Sequence, residues 1–234
     1  MESSRISIAV IVPILNEARV LKKLIAQLVQ QGFGEIILVD GGSKDGSATI
    51  ADNELAKHAG KSSGLIIHSP RGRATQMNRG AAEAKAQVLL FLHADTFLPT
   101  QATHLINRAL SNKRCWGHFN VRLNGKNILY RIIEFTMNLR SRISGIATGD
   151  QCIFVERKIF NRLGGYTTIP IMEDIEFSKR LKTLGRPARI NDTVLTSTRR
   201  WSSRGIIRTI LTMWTLRLLF WLRVKPSILA RYYP

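Results

Sequence analysis

Short apolar runs alternate with helix-like stretches along the N-terminal half of the chain, and this alternation constrains the fold more than any other feature. The pattern predicts strands at Ile6–Pro13, Glu35–Val39, Gly64–His68 and Val88–Leu92, with helices between them at Asn16–Gln31, Ser47–His58 and Ala74–Lys85. It is typical of an α/β domain with a mostly parallel central sheet flanked by helices.

After Pro99 the pattern loosens but continues. It predicts helices at Gln101–Leu110, around Ile128–Ile143 and from Glu173 to Gly185, and strands at Trp116–Leu123, Cys152–Val155 and Arg189–Leu195. The sequence contains no internal repeat and no linker rich in Pro, Gly or Ser. We therefore predict a single α/β domain over residues 1–201, followed by a C-terminal helical segment over residues 202–234.

The composition excludes several classes of protein. With 44% hydrophobic residues in a chain of 234, a substantial core can form, and a disordered or collagen-like chain is excluded. Two cysteines, Cys115 and Cys152, cannot supply a disulfide framework or a four-ligand zinc site. A short polar N-terminus without a leader, and the lack of a long uncharged apolar run, predict a cytoplasmic protein that at most lies on the inner face of the cell membrane.

Basic residues outnumber acidic residues by 35 to 16, which gives a formal net charge of +19. A charge of this size favours nucleic acid, an anionic membrane surface or phosphate-bearing small substrates as partners. No acidic residue follows Asp192, so the excess is concentrated towards the C-terminal end. Nucleic acid is disfavoured, because the basic residues are mixed with large apolar ones and no zinc or recognition-helix signature is present.

The C-terminal segment is predicted to form a basic amphipathic helix. At about 100° per residue, a narrow polar stripe is formed by Arg204, Arg208, Thr212, Thr215 and Arg223. Much of the remaining surface is apolar and consists of Ile207, Ile210, Leu211, Trp214, Leu218, Trp221 and Leu222. Such a helix suits a bilayer interface, where it would bring the site to a lipophilic acceptor. Packing against the domain, or against a second copy in a homodimer, is the alternative.

Polar residues stop four of the apolar runs, at Pro13–Glu17, Asp40–Ser43, His93–Asp95 and Glu173–Asp174. In open α/β sheets, ligands bind outside the carboxyl ends of the strands. We therefore expect the four segments to converge on one edge of the sheet. A dinucleotide-binding fingerprint is disfavoured, because Pro13–Glu17 occupies the place where its glycines would stand.

Each carboxylate of these segments has a binding interpretation and a structural one. Asp40, followed by two glycines, can accept hydrogen bonds from a base or a sugar hydroxyl, or from the backbone of its own turn. Asp95 can hold a divalent cation on a diphosphate, since one or two carboxylates suffice, or it can cap the following turn. Glu173 and Asp174 begin a helix, where acidic residues complement the helix dipole and where a carboxylate can also take a proton from an acceptor hydroxyl.

Taken in order, these segments resemble the motifs of the family 2 glycosyltransferases of the GT-A fold. The motifs are Val12-Pro13 with Asn16-Glu17, Val39 to Ser43 with Asp45 to Ser47, His93-Ala94-Asp95 and Glu173-Asp174. Thr198-Arg199-Arg200-Trp201 is similar to that family's basic-aromatic element in shortened form. Gly72 to Ala81 and Thr148 to Gln151 also resemble a bacterial subgroup whose members often carry labels tied to arsenosugar or carotenoid-type acceptors.

The resemblance implies transfer of a sugar from a nucleotide-diphosphate sugar, with a UDP-sugar favoured, to an acceptor hydroxyl. It also implies inversion at the anomeric carbon and a divalent cation, Mn²⁺ or Mg²⁺. Asp95 matches the last aspartate of the metal-binding Asp-x-Asp element, and Asp174 matches the catalytic base. The expected donor-nucleotide residues are Pro13, Asn16, Glu17, Asp40, Gly42, Arg73 and Asp95. His93 stands where many relatives have Asp, which reduces the number of carboxylates available to the cation.

Further residues are candidates for the diphosphate and the acceptor. When the bond between the sugar and the diphosphate breaks, negative charge develops on the leaving phosphate, and guanidinium groups stabilise it. The candidates for this role are Arg73, Arg199 and Arg200. Asp150 and Glu173 are candidates for orienting hydroxyl groups, and Trp201 for stacking on a sugar or anchoring the tail.

Two other functions remain as alternatives. A sugar-nucleotide nucleotidyltransferase shares a related α/β platform, but it would need a glycine-rich basic loop after the first strand, and Pro13–Glu17 contains no glycine. A non-enzymatic nucleic-acid-binding module would be driven by the net charge alone.

Overall fold

The computed structural model describes residues 6–111, 113–199, 201 and 205–233. In them, the strands are β1 (Ile8–Ile14), β2 (Glu35–Asp40), β3 (Ser63–His68), β4 (Val88–Phe91), β5 (Thr96–Phe97), β6 (Trp116–Asn124), β7 (Phe154–Glu156) and β8 (Ala188–Ser197). The helices are α1 (Ala18–Gln30), α2 (Ser47–Lys57), α3 (Arg73–Glu83), α4 (Ala102–Leu110), α5 (Ile128–Ser144), α6 (Arg157–Arg162), α7 (Glu173–Leu184), α8 (Ile206–Trp221) and α9 (Pro226–Leu229).

All strands belong to one sheet with the order β3-β2-β1-β4-β7-β6-β8-β5. The first four in this order are parallel to one another, and Ala9 of β1 lies opposite Glu35 of β2 and Leu89 of β4. β7 is antiparallel to both β4 and β6, β6 and β8 are parallel, and β5 is antiparallel to β8. The predicted α/β fold with a mostly parallel sheet is confirmed.

The central strands are apolar along their length because helices cover both faces of the sheet. Alternate residues of β1 enter different cores, since side chains of a strand point to opposite faces. Val10 and Val12 pack with Leu21 of α1 in the first core, whereas Ala9 and Ile11 pack in the second core with residues of α3 and α7. Close packing of both layers fixes the carboxyl edge of the sheet, where the site lies.

Gly80 allows α3 to approach the sheet closely. A Cβ atom at this position would lie 2.5 Å from Cγ2 of Ile11 and 2.9 Å from Cγ2 of Val39. Real Cβ atoms do not make such contacts, so a larger residue would push α3 outward. The first residue of α3 is Arg73, and this close packing therefore determines how near Arg73 lies to the ends of the strands.

The predicted elements up to β8 are all present, with ends that differ by at most two residues. Three short elements before β8 were not predicted, namely β5, a 3₁₀ helix at Gly149–Gln151, and α6. β5 consists only of Thr96–Phe97 and is too short to show periodicity. The tail helix α8 ends at Trp221, and Arg223 has a positive φ of 65° before Pro226 starts α9, so the tail turns instead of continuing.

The tail packs on the domain along part of its surface. Ile206 and Ile210 of α8 contact the first core, and Leu216 and Leu229 form a third cluster with Ile171, Met172 and Ile175 at the start of α7. None of the helices in the described part of the chain is long and apolar enough to cross a membrane. The division into residues 1–201 and 202–234 remains a prediction.

Candidate active site

The loops after β1 and β2 are joined by backbone-to-side-chain hydrogen bonds. The Asn16 N–H donates to Ser43 Oγ at 2.9 Å, and the Lys44 N–H donates to Asn16 Oδ1 at 2.8 Å. The Glu17 N–H donates to Ser47 Oγ at 2.8 Å. Because parallel strands end at the same edge, these short polar side chains fix the two loops against each other without any ligand.

Asp40 is buried at the end of β2 and organises the turn that follows. Its carboxylate accepts the N–H groups of Gly42 at 3.1 Å and Ser43 at 3.2 Å, and Nδ1 of His68 lies 3.4 Å away. Burial raises the pKa of Asp40, but the hydrogen bonds from Ser43, Gly42 and His68 outweigh burial and hold the pKa below its usual value. The structural interpretation of this Asp-Gly turn is therefore present, and contact with a base remains a prediction.

Gln76 is a buried residue of the site that the sequence analysis missed. Its amide nitrogen donates to the carbonyl oxygens of Ile14 at 2.9 Å and Val39 at 2.8 Å, and so ties α3 to the ends of β1 and β2. A Cβ atom on Gly41 would lie 3.0 Å from this amide. In sequence, nothing separates Gln76 from an exposed glutamine on a helix, since only the packing of α3 on the sheet buries it.

Arg199 connects the end of β8 to the ends of β1 and β4. Its Nη2 lies 2.6 Å from Oε1 of Glu17 and 3.6 Å from Oδ2 of Asp95. A pocket of about 260 Å³ opens beside this group, and its lining includes Arg19 and Asn124. The guanidinium of Arg199 balances the negative charge of the two carboxylates. A bound cation with its phosphates would balance charge at the same place.

His93 and Asp150 form a second pair at the end of β4. Nδ1 of His93 lies 3.2 Å from Oδ1 of Asp150, and its Nε2 is buried with no hydrogen-bond partner among the described residues. A Cβ atom on Gly149 would lie 2.6 Å from this Nε2. Gly149 is thus a second residue that the analysis missed, although it stands in a motif that was singled out. The signal is its place directly before Asp150.

Asp174 lies against the same loop. Its Oδ2 accepts the N–H of Gly149 at 2.7 Å, and its Oδ1 accepts the N–H of Ile175 at 2.7 Å. An ionised carboxylate has about four lone-pair positions, so each oxygen retains capacity to accept a further proton donor. The carboxylate is oriented and still able to act as a base.

Glu173 is buried next to Asp174, and Nη1 of Arg73 lies 3.5 Å from its Oε1. Burial raises the pKa of Glu173, the neighbouring Asp174 raises it further, and Arg73 opposes both effects without cancelling them. Burial lowers the pKa of Arg73, but Glu173, Tyr233, Asp150 and Asp174 outweigh it, so Arg73 remains charged. Arg73 therefore sits within an acidic cluster that also approaches the C-terminal residues.

Three residues other than glycine have positive φ angles in or beside the site. They are Asn16 at 56°, Cys152 at 51° and Met172 at 65°, directly before Glu173. Such conformations cost of the order of 1–3 kcal/mol each and persist where the surrounding contacts require them. Their clustering at three different loops supports the assignment of this edge as the functional region.

The structure thus brings the predicted site residues to one edge of the sheet. Pro13 is half-buried near the end of β1, and Trp201 is half-buried against the first core, as the anchoring alternative expects. Arg200 lies outside the described residues. The placement was predicted from the sequence, whereas the individual roles of these residues remain predictions.

In the described ranges, no group of three or more His, Cys, Asp or Glu side chains is arranged to hold a metal ion. A cation that bridges a diphosphate needs only one or two protein carboxylates, because phosphate oxygens and water complete its shell. The half-exposed Asp95 carboxylate, which lines the pocket, fits that requirement. The residues present therefore fit a cation that arrives with its ligand.

The chain matches the model of a known protein family. The model of "Glycosyl transferase family 2" matches residues 9–164, which include β1 to β7 and the segments at Asp40, Asp95 and Asp150. The chain belongs to family 2 of the glycosyl transferases. The match supports the family, and it does not extend to the arsenosugar or carotenoid subgroup.

Curated relatives of this family 2 chain include a "PGL/p-HBAD biosynthesis glycosyltransferase" of Mycobacterium tuberculosis. It is 42% identical over 94 residues, or 38% of this chain and 36% of the relative. The "Probable glycosyltransferase YdaM" of Bacillus subtilis is 26% identical over 198 residues, or 76% of this chain and 47% of the relative. The chain therefore spans less than half the length of these two curated relatives.

Solved structures support the fold. The "Mannosyltransferase PcManGT from Pyrobaculum calidifontis in complex with GDP-Man and Mn2+" has a TM-score of 0.68 at 18% identity, over 92% of this chain and 61% of the other. A Staphylococcus aureus protein, "S. aureus TarS 1-349 in complex with UDP-GlcNAc", has a TM-score of 0.67 at 16% identity, over 82% of this chain and 58% of the other. At these identities the likeness establishes the GT-A fold alone.

Proposed function

We propose that this family 2 chain transfers a sugar from a nucleotide-diphosphate sugar to an acceptor hydroxyl, with inversion and with the help of a divalent cation. The observation that carries the proposal is the convergence of Asp40, Asp95 and Asp174 on one edge, joined by Arg199, His93 and the Gly149–Asp150 turn. Carboxylates from distant parts of the chain are gathered there, and one of them, Asp95, lines the pocket beside Arg199. Family membership supports the same reaction type.

In this proposal the bond between the anomeric carbon and the diphosphate oxygen breaks while the acceptor oxygen bonds to the same carbon from the opposite face. Asp174 takes the proton of the acceptor hydroxyl, which requires a free lone pair on an oriented carboxylate. Glu173 and Asp150 position hydroxyl groups around it. The electron pair of the broken bond leaves on the diphosphate.

The leaving diphosphate gains negative charge, and the chain meets it with cationic groups. Arg73 and Arg199 already lie among the carboxylates of the site, and Arg200 is a further candidate. A divalent cation held by Asp95, Mn²⁺ or Mg²⁺, would supply additional stabilisation of this charge. Pro13, Asn16, Glu17, Asp40 and Gly42 form the loops proposed to hold the nucleoside. A UDP-sugar is the proposed donor.

We also propose a lipophilic acceptor and a protein of the cytoplasm that works at the inner face of the membrane. The basic apolar tail supports this part of the proposal, since it packs against the start of α7 that carries Asp174. An arsenosugar or carotenoid-type acceptor remains one form of the proposal.

The experiment is a thermal-shift screen of the full chain with UDP, GDP, ADP and CDP, each with Mn²⁺, with Mg²⁺ and with a chelator. A ligand present at 100 times its dissociation constant adds about 2.7 kcal/mol to folded stability, which is readily seen. We expect a shift with one base that needs the cation and that Asp95→Asn abolishes. The exposed Asp52→Asn on α2 is the matched control and should keep the full shift.

Two results would contradict the proposal. A cation-dependent shift that survives in Asp95→Asn would remove the ligand assignment. No shift with any nucleoside diphosphate, together with tight binding to DNA or RNA that weakens steeply with salt, would favour the nucleic-acid alternative.

A further inference from the structure

Helix α5 carries an apolar stripe that the domain does not cover. The stripe consists of Ile128, Ile132, Phe135, Leu139 and Ile143, with exposures of 70%, 53%, 65%, 39% and 77%. At about 100° per residue they fall within an arc of about 80°. The opposite face of the same helix is buried in the first core through Tyr130, Ile133 and Met137. α5 is therefore a firmly packed helix with a second apolar face in solvent.

Helix α8 has a stripe of the same form. It consists of Ile207, Leu211, Trp214, Leu218 and Trp221, with exposures of 66%, 60%, 63%, 56% and 70%. Thr209 and Leu216 on the other side are buried. Contiguous exposed apolar patches on this scale mark interaction surfaces in soluble proteins.

The two helices pack against common clusters of the domain. Ile206 and Ile210 of α8 pack against the first core, which contains the buried face of α5. Ile146, two residues after α5, packs in the third cluster with Leu216 of α8. The same cluster contains Met172 and Ile175, which flank Glu173 and Asp174. The inner faces of both helices are thus linked, through the first and third clusters, to the residues that flank the proposed base.

Charge distinguishes between the candidate occupants. Arg142 is exposed beside the α5 stripe, and Arg208 and Arg223 are exposed in α8 and at its end. No acidic residue follows Asp192, within a chain of net charge +19. A second copy would bring like charges together, whereas an anionic lipid surface complements them. Tryptophans on an apolar face with arginines beside it are typical of helices that lie in the interface of a bilayer.

We propose that α5 and α8 together form a docking surface for anionic lipid membranes, with both stripes in the interface. The surface differs from a tail anchor, because half of it belongs to a helix within the catalytic domain. The inference builds on the proposed lipophilic acceptor, since docking through both helices would hold the Glu173–Asp174 side of the site at the lipid. Membrane binding itself requires neither donor nor acceptor, so it can be tested independently of the reaction.

The test is flotation of the full chain with vesicles of phosphatidylcholine alone or with added phosphatidylglycerol, without donor or acceptor. We expect binding to the anionic vesicles that weakens with salt. The double variant Ile132→Ser/Phe135→Ser on α5 and the double variant Trp214→Ser/Leu218→Ser on α8 should each lower the affinity about tenfold or more. Leu65→Ser on β3 and Leu184→Ser on α7, at 39% and 37% exposure, are controls that should keep wild-type binding.

Thermal shifts with nucleoside diphosphates in the same variants separate the two proposals. An unchanged nucleotide shift with lost flotation supports the docking surface. Flotation that the α5 variant leaves unchanged overturns it, as does equal binding to neutral and anionic vesicles. A dimer seen by light scattering that the α5 variant dissociates would assign the stripes to a second copy and would also overturn the proposal. If the nucleotide shift is absent throughout while flotation behaves as expected, the proposed reaction fails and the docking surface stands.

Discussion

The loops after β1 and β2 are held in a different way from the residues around β4, β8 and α7. In the first region, short polar side chains bond to backbone N–H groups, as Ser43 does with Asn16 and Asp40 with the glycine turn. In the second region, charged side chains also form ion pairs, as in Arg73–Glu173 and in the pair that Arg199 makes with Glu17 of the first loop. The first region is held together mainly by these bonds to the backbone. In the second region, a bound anion or cation can replace one partner of an ion pair.

This difference has a physical consequence. Losing a partner of a buried backbone group costs stability, because the group remains desolvated and unpaired. Losing one member of an exposed ion pair such as Arg199–Glu17 costs little stability, because water and salt replace it, whereas the buried Glu173 would be left uncompensated without Arg73. Substitutions in the loop region should therefore lower stability, and substitutions in the charged region should lower activity or change its dependence on conditions.

Asp174→Asn is expected to have the largest effect. It removes the proposed proton acceptor and keeps an oxygen for only one of the two N–H groups, of Gly149 and Ile175, that the carboxylate accepts, so kcat should fall about 1,000-fold while stability falls by about 1 kcal/mol. The rate is measured with saturating donor and acceptor, beside the exposed control Asp192→Asn on β8. Normal turnover in Asp174→Asn would show that the charged region does not supply the base.

The buried His118 of β6 should make the fold sensitive to acid. Burial lowers the pKa of His118 to about 4, whereas an unfolded histidine titrates near pH 6.5. The unfolded state therefore binds the extra proton between these values, and stability falls as the pH drops through that window, by about 3 kcal/mol in all. His118→Leu should flatten this dependence.

Urea unfolding between pH 7 and pH 4 measures that effect. His104→Leu, at an exposed position of α4, is the control and should retain the wild-type slope. Equal slopes for His118→Leu and the wild type would mean that His118 is not the source of the acid sensitivity.

Gln76→Leu tests the loop region. The substitution leaves the carbonyl oxygens of Ile14 and Val39 without their amide partner, and we expect the free energy of unfolding to fall by about 2 kcal/mol. Gln30→Leu, exposed at the end of α1, should change it by less than about 0.5 kcal/mol. A similar small change for both variants would contradict the view that this region depends on backbone hydrogen bonds.

Arg199→Ala should have the smallest effect on stability. Its side chain is 59% exposed, so loss of the pairs with Glu17 and Asp95 should cost less than about 1 kcal/mol. Binding of a nucleoside diphosphate should nevertheless weaken, as a thermal shift would show. Arg79→Ala, which breaks the exposed pair with Glu83, is the control for stability and should not change nucleotide binding. A strongly destabilised Arg199→Ala would place Arg199 among the structural residues instead.

Most of the fold could be predicted from local pattern, since β1, β2 and β4 are continuous apolar runs and the helices between them have clear periodicity. The convergence of Asp40 and Asp95 also followed, because parallel strands end at a common edge, whereas Asp174 reaches that edge at the start of α7. β5 and α6 did not follow, because they are too short to carry a period. Neither did the exposed stripe of α5, since its sequence is apolar on two sides and only packing decides which side is covered.

The amino-acid sequence by itself thus determined the α/β alternation, the edge at which the polar segments meet and the excess of basic residues near the C-terminus. Tertiary structure decided which neighbours those segments have: Gln76 beneath the loops, Gly149 against His93, and Arg199 between Glu17 and Asp95. The reason is that periodicity and turn preferences act between residues close in sequence. Contacts between distant residues depend instead on how closely the helices pack against the sheet.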